Sequence, residues 1–306
     1  VFRQRIDILG GNVMARFQGS MVALITPFRN GEIDVSTLER LVELQIANGS
    51  SALVPCGSTG ESATLTHAEH AAVVRHVVGF ARGRVPVIAG TGSNSTAEAI
   101  ALTKAAKEAG ADAALLISPY YNKPTQEGIY QHYRAIAAAT RFPLIVYNIP
   151  GRTGSKIEAS TIARLAEIEE IIGLKESTGS LDEVQEVLRL CGDRIELYSG
   201  DDALTLPIMA VGGCGVISVC ANIVPQRSAA MTAAALAGRW ELARQLHYEL
   251  LPLSRVLFLE TNPIPIKAAM AMLGLCADEL RLPLLPMSEA PRAKLRAALQ
   301  QLGLLD

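Results

Sequence analysis

The chain has 306 residues, 49% of them hydrophobic and 19% charged, with a formal net charge of −2 at pH 7. This is enough material for a large core, either as two ordinary domains or as one α/β barrel. The near-neutral balance speaks against nucleic acid or an anionic membrane as main partner, and no apolar stretch approaches the roughly 20 residues of a spanning helix.

Residues 1–13 (VFRQRIDILGGNV) differ in character from the rest of the chain. They lack the apolar centre of a signal peptide and Met14 comes directly after them, so they read as a dispensable leader. From there, short β-branched apolar runs at 21–26, 52–56, 85–90, 113–118, 143–147, 171–175, 195–199 and 214–219 predict strands. Helical patterns fill the gaps near 36–48, 67–81, 96–109, 127–139, 158–166, 181–190, 202–211 and 226–237. Capping boxes open several of them, at Ser36-x-x-Glu39, Thr66-x-x-Glu69, Ser95-x-x-Glu98 and Ser180-x-x-Glu183. Gly49 and Gly110 close others.

Eight strand–helix units predict a closed (β/α)8 TIM barrel over 14–238. A doubly wound open sheet is the rival, but the first strand runs into Thr26-Pro27-Phe28 and not into a glycine fingerprint. Residues 239–306 read as three further helices broken by Pro263, Pro265, Pro283 and Pro286, a C-terminal helical appendage on the barrel. The five cysteines (Cys56, Cys191, Cys214, Cys220, Cys276) show no C-x-x-C pair, which suggests reduced thiols in a cytoplasm.

Reactive groups gather at the carboxyl ends of the predicted strands, where barrels build active sites. In order they are Gly57-Ser58-Thr59-Gly60-Glu61-Ser62, Gly90-Thr91-Gly92, Tyr120-Tyr121-Asn122, Tyr147-Asn148, Lys175-Glu176 and Ser199-Gly200-Asp201. Lys175 closes the apolar run Ile171-Ile172-Gly173-Leu174 and is one of only seven lysines. Burial there disfavours the ammonium and leaves an amine able to attack a ketone. On that segment alone, a lysine snorkelling to the surface is the plainer reading.

Hydroxyls surround the lysine, with no phosphate loop and no set of metal ligands, so no metal and no cofactor are expected. The pattern points to Schiff-base chemistry on a carbonyl substrate. Tyr147 and Ser58 are the candidate proton shuttle, although Tyr147 alone would read as a core aromatic. The Gly57–Gly60 turn offers N–H groups and hydroxyls to a carboxylate, and would otherwise be a plain strand-to-helix turn. Arg152, in Pro150-Gly151-Arg152-Thr153-Gly154, suits a second carboxylate, or else is a solvated loop arginine.

The stretches GSTGESATL (57–65), PVIAGTGSNST (86–96), SPYYNKPTQEGIYQHY (118–133), VYNIPGRTG (146–154), GLKES (173–177) and YSGDD (198–202) carry a specific resemblance. From about Phe17 onward the chain resembles the 4-hydroxy-tetrahydrodipicolinate synthase (dihydrodipicolinate synthase) family of pyruvate-dependent class I aldolases. The resemblance implies that Lys175 forms an imine with pyruvate. Thr59, with Gly200 and the Ile217 carbonyl, would position that substrate. Tyr147 would relay protons through Ser58 to Tyr121 of a neighbouring subunit. Arg152 would bind the carboxylate of aspartate semialdehyde. It also implies a homotetramer, a dimer of dimers, in lysine and diaminopimelate biosynthesis. Lysine, as feedback inhibitor, would occupy Ser62, Ala63, His67, His70, Asn94, Glu98 and Tyr120.

One position departs from the family pattern. Ser58-Thr59 stands where synthases carry Thr-Thr, and serine keeps the hydroxyl but loses the methyl that restricts χ1. The Ser-Thr form is shared with N-acetylneuraminate lyases, which are similar at YNIP but lack an arginine at the position of Arg152. A non-catalytic ligand sensor is the reading from another class. The intact set Lys175, Tyr147, Tyr121, Ser58 and Arg152 argues against it. The pair His67 and His70, at i and i+3, finds no third metal ligand.

Overall fold

The computed structural model describes residues 17–306, so the leader at 1–13 lies outside the described residues. The apolar runs form eight strands: β1 (Gly19–Ala23), β2 (Ala52–Val54), β3 (Ile88–Gly90), β4 (Ala113–Ile117), β5 (Leu144–Asn148), β6 (Ile171–Glu176), β7 (Glu196–Ser199) and β8 (Gly215–Ser218). They pair in parallel in the order β2-β1-β8-β7-β6-β5-β4-β3. A parallel bridge between Leu53 and Val87 joins the two remaining edges and closes a (β/α)8 barrel.

Eight helices form the outer layer: α1 (Val35–Ala47), α2 (His67–Ala81), α3 (Thr96–Glu108), α4 (Gln126–Thr140), α5 (Ala159–Leu165), α6 (Leu181–Cys191), α7 (Thr205–Ala210) and α8 (Pro225–Leu236). Three more complete the chain, α9 (Trp240–Val256), α10 (Ile264–Met272) and α11 (Glu289–Gln301). Leu250, Leu253, Ile266, Met270, Leu295 and Leu299 of these last three share one buried apolar cluster with the outward faces of the strands. Among the described residues no helix is long and apolar enough to cross a membrane, and all five cysteines are unpaired.

The differences from expectation are local. The first strand is Gly19–Ala23 and not 21–26: the Leu24 N–H still reaches the Val54 carbonyl, but the next N–H, of Ile25, donates to Asn222 Oδ1. Pro86 has no N–H, which keeps the third strand to 88–90. Helix α1 is capped by Asp34, whose carboxylate accepts from the Thr37 N–H at 3.0 Å, so the expected box at Ser36 is not used. The Thr66–Glu69 box is complete. Ser95 and Ser180 cap their helices, but Glu98 and Glu183 turn to other partners.

Strand alternation decides what faces the barrel interior. Met21, Val54, Ile88, Leu115, Ile145, Tyr147, Tyr198 and Ile217 fill it. Leu174 belongs to the outer layer, so Lys175, next along β6, points inward.

Candidate active site

Lys175 is 6% exposed and stands in register with Tyr147 on β5 and Tyr198 on β7. Its Nζ lies 4.2 Å from the centroid of the Tyr147 ring. Burial lowers its pKa to about 7, with Asp202 pulling it up and Arg152 pushing it further down. The surface-snorkelling alternative therefore does not describe this lysine. Asp202 is itself held in place by the Val219 and Cys220 N–H groups, at 2.9 and 3.1 Å, and by the Ser218 hydroxyl.

Tyr147 is buried, and burial pushes its hydroxyl up to about 12, partly offset by Arg152 and Ser177. It stays protonated at neutral pH, which suits a proton donor and not a resident base. Gly200 makes room for the lysine: a Cβ there would fall 2.8 Å from Lys175 Cε and would overlap Ser177 Oγ. Ile217 is fully buried, and its side chain belongs to the cluster that fills the barrel interior.

A cavity of about 850 Å³ opens over this end of the barrel, lined among others by Ser58, Tyr121, Tyr147 and Arg152. Thr59 is buried, and its Oγ1 accepts from Asn262 Nδ2 at 2.9 Å. Arg152 sits just beyond β5 in a one-turn helix, Pro150–Thr153, and donates from Nη2 to the Asn262 carbonyl at 2.7 Å. Asn262 thus touches both expected carboxylate-binding residues. In the sequence Asn262 falls within the helical appendage, and an asparagine ahead of the Pro263-Ile264-Pro265 helix start is the only signal it offers. Asp202, within the quoted YSGDD stretch, was likewise not singled out.

Tyr121 is not part of the packed site of one chain. Its side chain is 88% exposed and its φ is +68°, a conformation an aromatic residue seldom holds without an external reason. The expected relay partner Tyr121 therefore lies at the surface of the single chain.

Most of the residues expected to bind lysine gather on the same cavity. Ser62, Ala63, His67, His70, Glu98 and Tyr120 line it. Glu98 accepts from the Ser93 hydroxyl and pairs with His67 Nε2 at 2.7 Å; both hold its carboxyl below the usual range. Asn94 Nδ2 donates to the Tyr120 carbonyl at 3.2 Å. His70 is buried, and its Nε2 donates to the Gly90 carbonyl at 2.7 Å. Burial lowers its pKa, so it sits there neutral.

Known proteins share this architecture. The 4-hydroxy-tetrahydrodipicolinate synthase of Geobacter sulfurreducens is 56% identical over 289 residues, 94% of this chain and 100% of that protein. The dihydrodipicolinate synthase of Aquifex aeolicus superposes with a TM-score of 0.93 at 50% identity, over 94% of this chain and 99% of that one. The chloride-inhibited dihydrodipicolinate synthase of Acinetobacter baumannii, solved with pyruvate, gives 0.93 at 47% identity, over 94% and 100%. The Cyanidioschyzon merolae enzyme, solved with lysine bound, gives 0.91 at 42% identity, over 94% and 99%. The sequence profile of one family matches residues 16–302: the chain belongs to the dihydrodipicolinate synthetase family.

Proposed function

We propose that this protein is a lyase that condenses pyruvate with L-aspartate 4-semialdehyde to 4-hydroxy-tetrahydrodipicolinate, in lysine and diaminopimelate biosynthesis. One observation carries the reading: a buried lysine whose pKa is lowered to about 7, set against a protonated tyrosine at the carboxyl end of the barrel. The neutral amine adds to the pyruvate ketone, and loss of water from the carbinolamine gives the imine. A methyl proton then leaves and the enamine carbon attacks the aldehyde. Tyr147 supplies the proton for dehydration and, as the phenolate so formed, takes up the methyl proton, with Ser58 linking it to Tyr121 of a neighbouring subunit. Thr59, Gly200 and the Ile217 carbonyl orient pyruvate, while Arg152 binds the semialdehyde carboxylate.

Turnover with both substrates, coupled to a reductase that consumes the product, tests this. NADPH consumption that needs both substrates is the expected result. A folded protein that traps pyruvate with borohydride but never uses the semialdehyde would overturn the second substrate. N-acetylneuraminate would then be tested next, because Ser58 is the residue shared with those lyases.

Arg152→Ala is expected to raise KM for the semialdehyde about 10-fold or more while pyruvate trapping changes little. Equal losses for both substrates would make Arg152 a structural residue. It uses one donor on Asn262, so the remaining guanidinium donors serve the ligand.

Lysine is proposed to inhibit by binding at Ser62, Ala63, His67, His70, Asn94, Glu98 and Tyr120, as a relative solved with lysine suggests. Glu98 would take the ammonium in exchange for His67. Glu98→Gln should therefore weaken lysine inhibition by roughly 10-fold or more, with uninhibited turnover near that of the parent. Parent activity unchanged at millimolar lysine would count against inhibition altogether. The proposed assembly is a homotetramer in the cytoplasm, and the exposed Tyr121 is the feature that asks for a neighbouring subunit.

A further inference from the structure

The turn that carries Ser58 and Thr59 is held from outside the barrel. It runs from Cys56 to Glu61, both in the left-handed region with φ of +56° and +52°, which L side chains adopt only when the surroundings impose it. Glu61 is 3% exposed, and its carboxylate forms an ion pair with Nζ of Lys267 on α10, a side chain with no exposed surface at all. The second carboxylate oxygen accepts from the Arg281 N–H at 3.1 Å. Lys267 Nζ also donates to the Glu279 carbonyl at 2.8 Å and lies 4.1 Å from the Phe28 ring centroid. From the barrel side, Thr26 Oγ1 donates to the Gly60 carbonyl at 2.7 Å.

A fully buried pair of this kind is a weak source of stability, because desolvation consumes most of the attraction. Its directional constraint is what remains. Here that constraint acts two residues from Thr59 and three from Ser58. Asn262, from the segment before α10, reaches Thr59 Oγ1 independently.

We infer that the Glu61–Lys267 pair is a positioning element of the active site, through which the C-terminal helices hold Ser58 and Thr59 against the keto acid. The inference rests on the proposed pyruvate chemistry of Lys175. Neither Glu61 nor Lys267 touches the reacting atoms; they act through the turn. The C-terminal region is then part of the catalytic apparatus.

The test compares the parent with Glu61→Gln, Lys267→Met and the double variant, using thermal unfolding and the pyruvate concentration that half-saturates borohydride trapping. Each single change leaves one buried charge alone and lowers the melting temperature, or prevents folding. The double variant removes both charges, keeps an acceptor toward the Arg281 N–H, and recovers the melting temperature. Half-saturation is expected to stay roughly 10-fold or more above the parent in the folded double variant, since small misplacements of binding groups carry large kinetic costs. Parent-like half-saturation in that variant would reduce the pair to a structural contact and overturn the inference. A folded parent that traps no pyruvate would instead defeat the functional reading, and this inference with it.

Discussion

Lys175→Met should lose turnover by roughly 10³-fold or more and also lose borohydride-trapped pyruvate, yet fold more stably than the parent. Loss of activity stems from chemistry that no other group in the barrel can replace, because the imine needs an amine at that atom. The gain in stability stems from burial. The fall from 10.5 to about 7 means that the folded protein resists holding the proton that the unfolded chain keeps. Between those values the unfolded chain binds more protons, so parent stability rises with pH across the window. Well below pH 7 both states are protonated and the cost of the buried ammonium is full. Methionine removes that cost, so the advantage of the variant is largest near pH 6 and shrinks toward pH 10. A gain of about 1–3 kcal/mol is expected, since Asp202 loses a partner in the same change. Chemical denaturation of both proteins at pH 6 and pH 9 measures it. A variant less stable than the parent at pH 6 would contradict the buried, proton-averse lysine. Trapping in the parent should rise with pH through about 7 and then level off.

Tyr147→Phe should lower turnover by about 10²–10⁴-fold, the usual worth of a positioned proton donor, with little change in melting temperature. The ring is retained, so the packing inside the barrel and the face presented to Lys175 Nζ are preserved. Only the hydroxyl is lost. Because burial pushes that hydroxyl up to about 12, the parent should show no rate limb from its ionisation between pH 6 and 9. Turnover of the phenylalanine variant within a few-fold of the parent would take Tyr147 out of the relay.

Much of this molecule was legible along the chain. Short continuous runs rich in Val, Ile and Leu, buried on both faces, marked the strands, and helix periodicity marked the outer layer to within about two residues in most cases. These signals are local: each depends on side chains within one or two turns. The misses have causes that are not local. Ser36 with Glu39 has the spacing of a capping box, but Asp34 sits two residues earlier with a stronger acceptor, already oriented by Arg29 at 2.8 Å. The first strand ends early because Asn222, about two hundred positions away, offers Ile25 a substitute for the ladder.

The candidate site divides the same way. Residue types and spacing sufficed to choose Lys175, Tyr147, Arg152 and the Ser58-Thr59 turn, because reactive groups at strand ends stand out against apolar runs. Their electrostatics were not readable. Whether Lys175 is buried depends on inward alternation set by Leu174, on space left by Gly200, and on charges brought close by other strands.

The sequence by itself therefore determined the fold class, the family and the candidates for the reacting groups, since these depend on local patterns and on matched motifs. The tertiary structure alone decided that Asn262 reaches both Thr59 and Arg152, and that Lys267 reaches Glu61. These partners lie over a hundred residues apart. Nothing in chain order constrains such pairs until barrel closure brings the end of the chain against its first turns. Desolvation then makes every buried charge require a partner.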